Sequence, residues 1–323
     1  MKVTLLGTGS PQPRADRFGA ANLVQHDGTS LLIDAGSGVT QRLAALGVSG
    51  RDITAVLLTH MHSDHVIDLY QFIISSWHQG RSKPQRIIGP PGTRAFITEL
   101  MACWHKERSD RIAFEQRPST IALDIHIEEL HPTEPEPITL GGLVVQPVVV
   151  DHKPIEHAYG FAISTTGEEE RAVFSGDTRW CGALVEAARG CDVLVHEVFI
   201  KRAMPVSEGV RTAATVEATA SYHTLSSEVG KLAAEAQVGV LLLNHFAPPV
   251  FDKDALMAEV GSDFDGPVVI GEDLMQYDIP TKTLRAQMPL AAPSQQVLVR
   301  LSPYNKPGNA HASTASNGSN GSI

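Results

Sequence analysis

Long apolar runs are missing from this sequence. Nowhere do about 18 apolar residues follow one another, so the pattern holds no membrane-spanning helix. The N-terminus, MKVTLLGTGS, reaches Gly7 before the apolar stretch of a signal peptide could form. Mature residues are therefore expected to begin at Met1, with the cytoplasm as the location. Cysteine is scarce: Cys103, Cys181 and Cys191 form neither an even set nor a CxxC pair, which argues against a disulfide framework or a thiolate zinc site. Positive charge is in deficit, 26 Lys and Arg against 36 Asp and Glu, for a formal charge of −10. A broad nucleic-acid surface neutralises phosphates with Lys and Arg, so the expectation is a partner other than nucleic acid. No repeat with a period of roughly 20 to 50 residues is visible.

What is present is 323 residues with 42% apolar content, enough for a sizeable core, and 14 histidines. Strand patterns fall at 2–6, at 22–26 and 30–34 around a turn at Asp27-Gly28, and at 55–58, 86–89, 143–150, 160–163, 172–174, 193–196 and 238–243. Helical spacing covers 39–46, 65–77, 94–104, 181–189 and 225–236, while about 105–140 reads as charged and irregular. Alternating strands and helices in both halves predict two sheets covered by helices in one domain over 1–290. Residues 303–323, rich in Ser, Asn, Gly and Ala, are expected to be a disordered tail.

The histidines cluster in LLTHMHSDHVID at 57–68, directly after an apolar strand. His60 and His62 alternate along extended backbone, which sends both imidazoles to one side, and Asp64 and His65 open a helix. Two imidazoles and a carboxylate so close together suit zinc, with Mn2+ or Fe2+ as alternatives. Asp68, one helical turn beyond Asp64, is set outside the cluster.

The stretch THMHSDH closely resembles the motif of the metallo-β-lactamase superfamily. That resemblance implies an α/β (α+β) fold, an αββα sandwich of two mixed β-sheets flanked by helices, with one or two metals between the sheets. It implies a bridging ligand at Asp177 in VFSGDT and a last histidine ligand at His245 in LLLNHFAPP. VVVDHKPIEHAYGF offers both His152 and His157. The Asp-His-x-Pro pattern of one subgroup puts the ligand at His152 and leaves His157 to line the pocket. The implied division is His60, His62, His152 and Asp177 on one Zn2+, with Asp64, His65, Asp177 and His245 on a second. Metal-bound hydroxide would be the nucleophile, and Asp64 would orient or deprotonate the water.

Further segments resemble the ribonuclease Z and arylsulfatase-type branch: GTGSPQPRADRFGAANLV, LLIDAGSG, IIGPPGT, VLVHEV, YHT and GEDLMQYDI, spanning about 1–280. In that branch a histidine supports the leaving group, which points to His223 in Tyr222-His223-Thr224, with Glu197 orienting it and Asp34 behind the ligands. The N-terminal loop lacks the Arg-Asn of transfer-RNA processing members. The stretch between Asp177 and His223 has Lys201, Arg202 and Arg211 but no long arm.

On these grounds the expectation is a dinuclear zinc hydrolase of small esters (aryl sulfate, carboxylic ester or lactone, phosphodiester) that forms a homodimer. A ribonuclease Z-like tRNA 3′-processing endonuclease is the alternative. Third comes a non-catalytic metal-binding regulatory protein, whose signature would be lost ligands, and every expected ligand is present. Arg17 or Arg81 is a candidate contact for an anionic leaving group. Trp77, Trp104 and Trp180 are candidates for an aromatic wall.

Overall fold

The computed structural model describes residues 1–286. The expected tail at 303–323 and the expected domain end at 290 lie outside the described residues.

The first sheet begins with β1 (Lys2–Gly7), β2 (Ala21–His26), β3 (Thr29–Ile33), β4 (Ala55–Leu57), β5 (Gln85–Gly89) and β6 (Ile125–Glu129). The second holds β7 (Ile138–Leu140), β8 (Leu143–Val150), β9 (Ala158–Thr165), β10 (Arg171–Phe174), β11 (Val193–Phe199), β12 (Leu241–Ala247) and β13 (Val268–Ile270). The chain then returns to the first sheet with β14 (Gln276–Asp278) and β15 (Thr283–Arg285). The orders are β15-β14-β1-β2-β3-β4-β5-β6 and β13-β12-β11-β10-β9-β8-β7. Both sheets mix antiparallel with parallel pairs: β3, β4, β5 and β6 run parallel, as do β10, β11, β12 and β13.

Strand side chains alternate between two apolar layers. Val3, Leu5, Leu31 and Ile33 from the first sheet meet Val145, Phe161, Val195 and Leu242 from the second in a shared core. Their neighbours Leu6, Leu32 and Val56 face outward onto α1 (Val39–Ala45), α3 (Leu69–His78) and α4 (Thr93–Cys103). On the other flank, Leu194 and Leu241 pack against α6 (Gly182–Ala188), α8 (Ser226–Ala236) and α9 (Lys253–Gly261). Strands buried on both faces read as continuous apolar runs, and β11 is buried along its whole length. The result is the expected αββα sandwich.

Several expectations change. The helix expected over 65–77 is two pieces, α2 (Ser63–Val66) and α3, broken at Ile67 and Asp68. Asp68 sits at the break because its carboxylate accepts hydrogen bonds from the backbone and hydroxyl of Thr40 (2.8 and 2.6 Å), tying α1 to α3. The segment expected to be irregular contains α5 (His105–Glu115), β6 and β7. The helix was hidden because it buries no residue, so it shows no apolar stripe and is laced instead by pairs such as Arg111–Glu107. Among the described residues no helix is long and apolar enough to cross a membrane, and the three cysteines are free thiols.

Candidate metal centre

Four strands end at one rim. β4 runs into Thr59-His60-Met61-His62, β8 into Asp151-His152, β10 into Ser175-Gly176-Asp177, and β12 carries His245 near its C-terminal end. Gly176 makes the turn before Asp177 at φ 59°, and a Cβ there would lie 2.6 Å from the Tyr159 carbonyl oxygen.

Three imidazole nitrogens converge on the first side. His62 Nδ1 lies 3.0 Å from His60 Nε2 and 3.1 Å from His152 Nε2. The Asp177 Oδ2 atom stands 3.7 Å from His152 Nε2 and 4.0 Å from His60 Nε2. On the second side, His245 Nε2 is 3.2 Å from Asp64 Oδ2 and 3.5 Å from Asp177 Oδ2, while His65 Nε2 is 3.4 Å from Asp177 Oδ1. Asp177 therefore faces both groups, and within each of the two groups (His60, His62, His152, Asp177; Asp64, His65, His245) the donor atoms lie within 4.8 Å of one another.

The far side of each ring decides which nitrogen points inward. His65 Nδ1 donates to Asp34 Oδ2 (2.8 Å), and His152 Nδ1 to the Tyr222 carbonyl (2.9 Å). Thr59 donates its hydroxyl to Asp34 (2.9 Å), so its oxygen accepts from His60 Nδ1 (3.0 Å). In all three the Nε2 lone pair is left facing the centre, and His65 Nε2 is buried with no hydrogen-bond partner. An all-N/O donor set around an unpartnered buried nitrogen fits a divalent first-row cation. Thr59 escaped sequence reasoning because a lone threonine carries no signal until Asp34 is folded against it.

Backbone geometry helps to aim the donor side chains. In the pairing of β11 with β12, Glu197 opposes Asn244 and Val198 opposes Phe246, which leaves His245 as the extra residue of a β-bulge at φ 44°. The Asn244 side chain accepts from the His245 backbone N–H (2.8 Å) and holds this turn. Asp34 also has a left-handed backbone, φ 60°, with its N–H donated to the Leu57 carbonyl.

Charge is distributed unevenly. Burial pushes down the pKa of His60 and, less strongly, of His62, with neighbouring imidazoles adding to the effect. Burial acts the same way on His245, but Asp177 and Asp64 outweigh it and raise the ring to about 9. For Asp177, burial is overcome by His245 and His65, which hold the carboxyl well below its ordinary range.

His223 and Glu197 stand beside this centre. His223 Nδ1 meets Glu197 Oε2 at 2.7 Å, Thr178 N–H donates to Glu197 Oε1 (2.7 Å), and Phe199 stacks on the His223 ring with centroids 5.5 Å apart. A cavity of about 330 Å³ joins His62, Asp64, Asp177, His223 and His245, walled by Phe199, Met204 and Tyr222 and bordered by Arg211.

Other candidates lie elsewhere. His157 joins neither donor group and sits beside Glu156 (3.9 Å). Arg17 is buried, donating to Thr8 Oγ1 and the Gly271 carbonyl under the Phe246 ring, so it is not a free anion contact. Arg81 spends its donors on carbonyls of Ile53, Lys83 and Pro84. None of the tryptophans lines the cavity: Trp77 is buried on α3, Trp104 stacks on Tyr70, and Trp180 packs on the outer helices.

With this geometry in view, the similarities to known proteins are informative. The family model described as anti-Pycsar protein Apyc1 matches residues 1–215. A ribonuclease Z of Mycobacterium marinum is 34% identical over 284 residues, covering 86% of this chain and 99% of its own. That of Mycobacterium bovis BCG is 33% identical over 285 residues, covering 86% and 98%. Among solved structures, the metallo-β-lactamase fold protein YhfI of Bacillus subtilis aligns at TM-score 0.66 and 23% identity, covering 85% of this chain and 98% of that one. The short form of human tRNase Z aligns at TM-score 0.65 and 22% identity, covering 87% and 100%. These two share the fold. The ribonuclease relatives overturn the expectation that nucleic acid is not a partner, and with it the preference for a small ester. A net charge of −10 describes the whole surface, whereas recognition of a polyanion depends on the local field at the site.

Proposed function

The chain belongs to the metallo-β-lactamase superfamily, in the branch of the ribonucleases Z and of the family described as anti-Pycsar protein Apyc1, and from that membership we propose that it is a metal-dependent phosphodiesterase that processes the 3′ end of transfer RNA. The observation that carries the proposal is Asp177 standing between two donor groups, with the His223–Glu197 pair in the same cavity. It is supported by relatives named ribonuclease Z that align over nearly their whole length.

His60, His62, His152 and Asp177 would hold one cation, and Asp64, His65, His245 and Asp177 a second, with zinc favoured by the imidazole-rich set. When bound, such a pair supplies Lewis acidity to a phosphoryl oxygen and lowers the pKa of water. Asp64 directs Oδ2 at His245, leaving Oδ1 to accept a hydrogen bond from the attacking water. Phosphorus gains a bond to the water oxygen, whose proton passes to Asp64, and loses its bond to the leaving oxygen, which is protonated from the His223 side. Burial raises the Glu197 carboxyl well above its ordinary range and lowers His223 to about 4. Both shifts favour a protonated Glu197 donating to His223 Nδ1, so that His223 presents Nε2–H to the cavity as donor for the leaving oxygen.

The test is hydrolysis by metal-loaded protein of a substrate series: precursor transfer RNA, a dinucleotide, a cyclic mononucleotide, an aryl sulfate and a carboxylic ester. Metal-dependent cleavage of precursor transfer RNA at the 3′ side of the acceptor stem is expected. Turnover of the sulfate or carboxylic ester alone would overturn the proposal.

A further inference from the structure

We propose that Arg211 is a phosphate-binding residue of this cavity that holds the phosphate adjacent to the scissile one. The inference rests on the phosphodiesterase reading above and extends it to a residue outside the metal-binding motifs.

Three cations follow β11 before α7 (Ala213–Ala220): Lys201, Arg202 and Arg211. Lys201 pairs with Glu217 (2.8 Å), and Arg202 pairs with Glu259 and donates to Ser226 Oγ (3.2 Å). Among the described residues, Arg211 alone of the three has neither a carboxylate partner nor a hydrogen bond from its guanidinium. It is also the one that borders the catalytic cavity.

Its backbone is held on both sides. Ser207 and Arg211 exchange hydrogen bonds, N–H to carbonyl, at 2.9 and 2.8 Å, closing a loop that turns through Gly209 at φ 75°. The next residue, Thr212, caps α7 by accepting from the Thr215 N–H at 3.1 Å. Arg211 is a partly buried residue on fixed backbone, and its guanidinium has no internal counter-ion among the described residues. A planar five-donor fork in that position suits a phosphate.

The scissile group is already served. Its non-bridging oxygens would fall to the cations that the two donor groups hold, and its leaving oxygen to His223. Arg211, at the border of the same cavity, is left for a neighbouring anionic group. A substrate with phosphates on both sides of the cut supplies one, and the contact offsets the repulsion that a chain of charge −10 exerts on a polyanion.

The experiment is fluorescence anisotropy of metal-loaded protein with a base-labelled uridine dinucleotide whose bridging oxygen is replaced by methylene, with and without terminal phosphates on both ends. In the unmodified protein the terminal phosphates are expected to tighten binding about tenfold or more. Arg211→Gln abolishes that advantage, and Arg211→Lys keeps part of it. The assignment is overturned if the terminal phosphates help Arg211→Gln as much as the unmodified protein, or help neither. Thermal melting of both variants checks that they fold. Failure of the phosphodiesterase reading shows separately, as no hydrolysis of the cleavable dinucleotide or of precursor transfer RNA.

Discussion

His223 and Glu197 meet at 2.7 Å although neither belongs to the two donor groups that Asp177 faces, and Thr178 pins the same carboxylate from its other side. The imidazole is thereby fixed in angle over the cavity, with Phe199 stacked behind it.

Removing the ring tests its role as donor. His223→Ala is expected to lower kcat by about 100-fold or more, the range of a positioned acid or base. Metal content by elemental analysis stays at the unmodified level. A parallel loss of metal would place His223 among the ligands instead.

Glu197→Gln keeps the shape of the partner and changes its proton inventory. A smaller kcat loss than in His223→Ala is expected, about tenfold, with KM little changed. Steady-state kinetics on a dinucleotide separates the two parameters.

Metal loading should displace protons. In the metal-free protein Asp177 holds His245 up to about 9, and His65 is likewise raised despite burial. The His245 ring therefore carries a second proton near pH 7.5 and must lose it to ligate. Calorimetric titration with zinc in two buffers of different ionisation enthalpy measures the release, which shrinks above about pH 9. Asp177→Ala removes the group facing both sites and is expected to reduce bound metal below one ion per chain.

His196 contributes a pH-dependent share of stability. It lies on β11 with its Nδ1 donated to the Glu197 carbonyl, and burial lowers it to about 4. A folded pKa below the unfolded value means that the unfolded chain binds the extra proton. The stability is therefore present above about pH 6.5 and lost as pH falls toward 4. The loss is on the order of 3 kcal/mol. Denaturant melts of His196→Asn should show a correspondingly shallower pH dependence over that window.

Arg17 is a structural cation. Arg17→Ala removes hydrogen bonds to Thr8 and Gly271 and the contact over Phe246. An expected cost of about 2 to 4 kcal/mol lowers the Tm, while KM for the dinucleotide stays near that of the unmodified protein.

Much of the centre was legible in the chain alone. His60, His62, Asp64 and His65 are spaced by a strand passing into a helix, a local geometry that six consecutive residues encode. Asp177 and His245 carry the same signature of a polar residue following a buried apolar strand. What the sequence could not decide depends on contacts between segments far apart in the chain. The bulge that turns His245 inward needs the register of β11 against β12. The inward nitrogens of His60, His65 and His152 depend on Thr59, Asp34 and the Tyr222 carbonyl reaching them across the fold.

Charged side chains show the same limit. Arg17, Arg81, Lys201, Arg202 and Arg211 look alike as letters, since each is a cation near a motif or a loop. Only packing assigns the first four to internal partners and leaves Arg211 beside the cavity. Spacing along the chain thus determined which residues can bind metal, because that chemistry is local. Tertiary structure decided which charges remain available to a substrate, because a charge is spent or spare only relative to what folds against it.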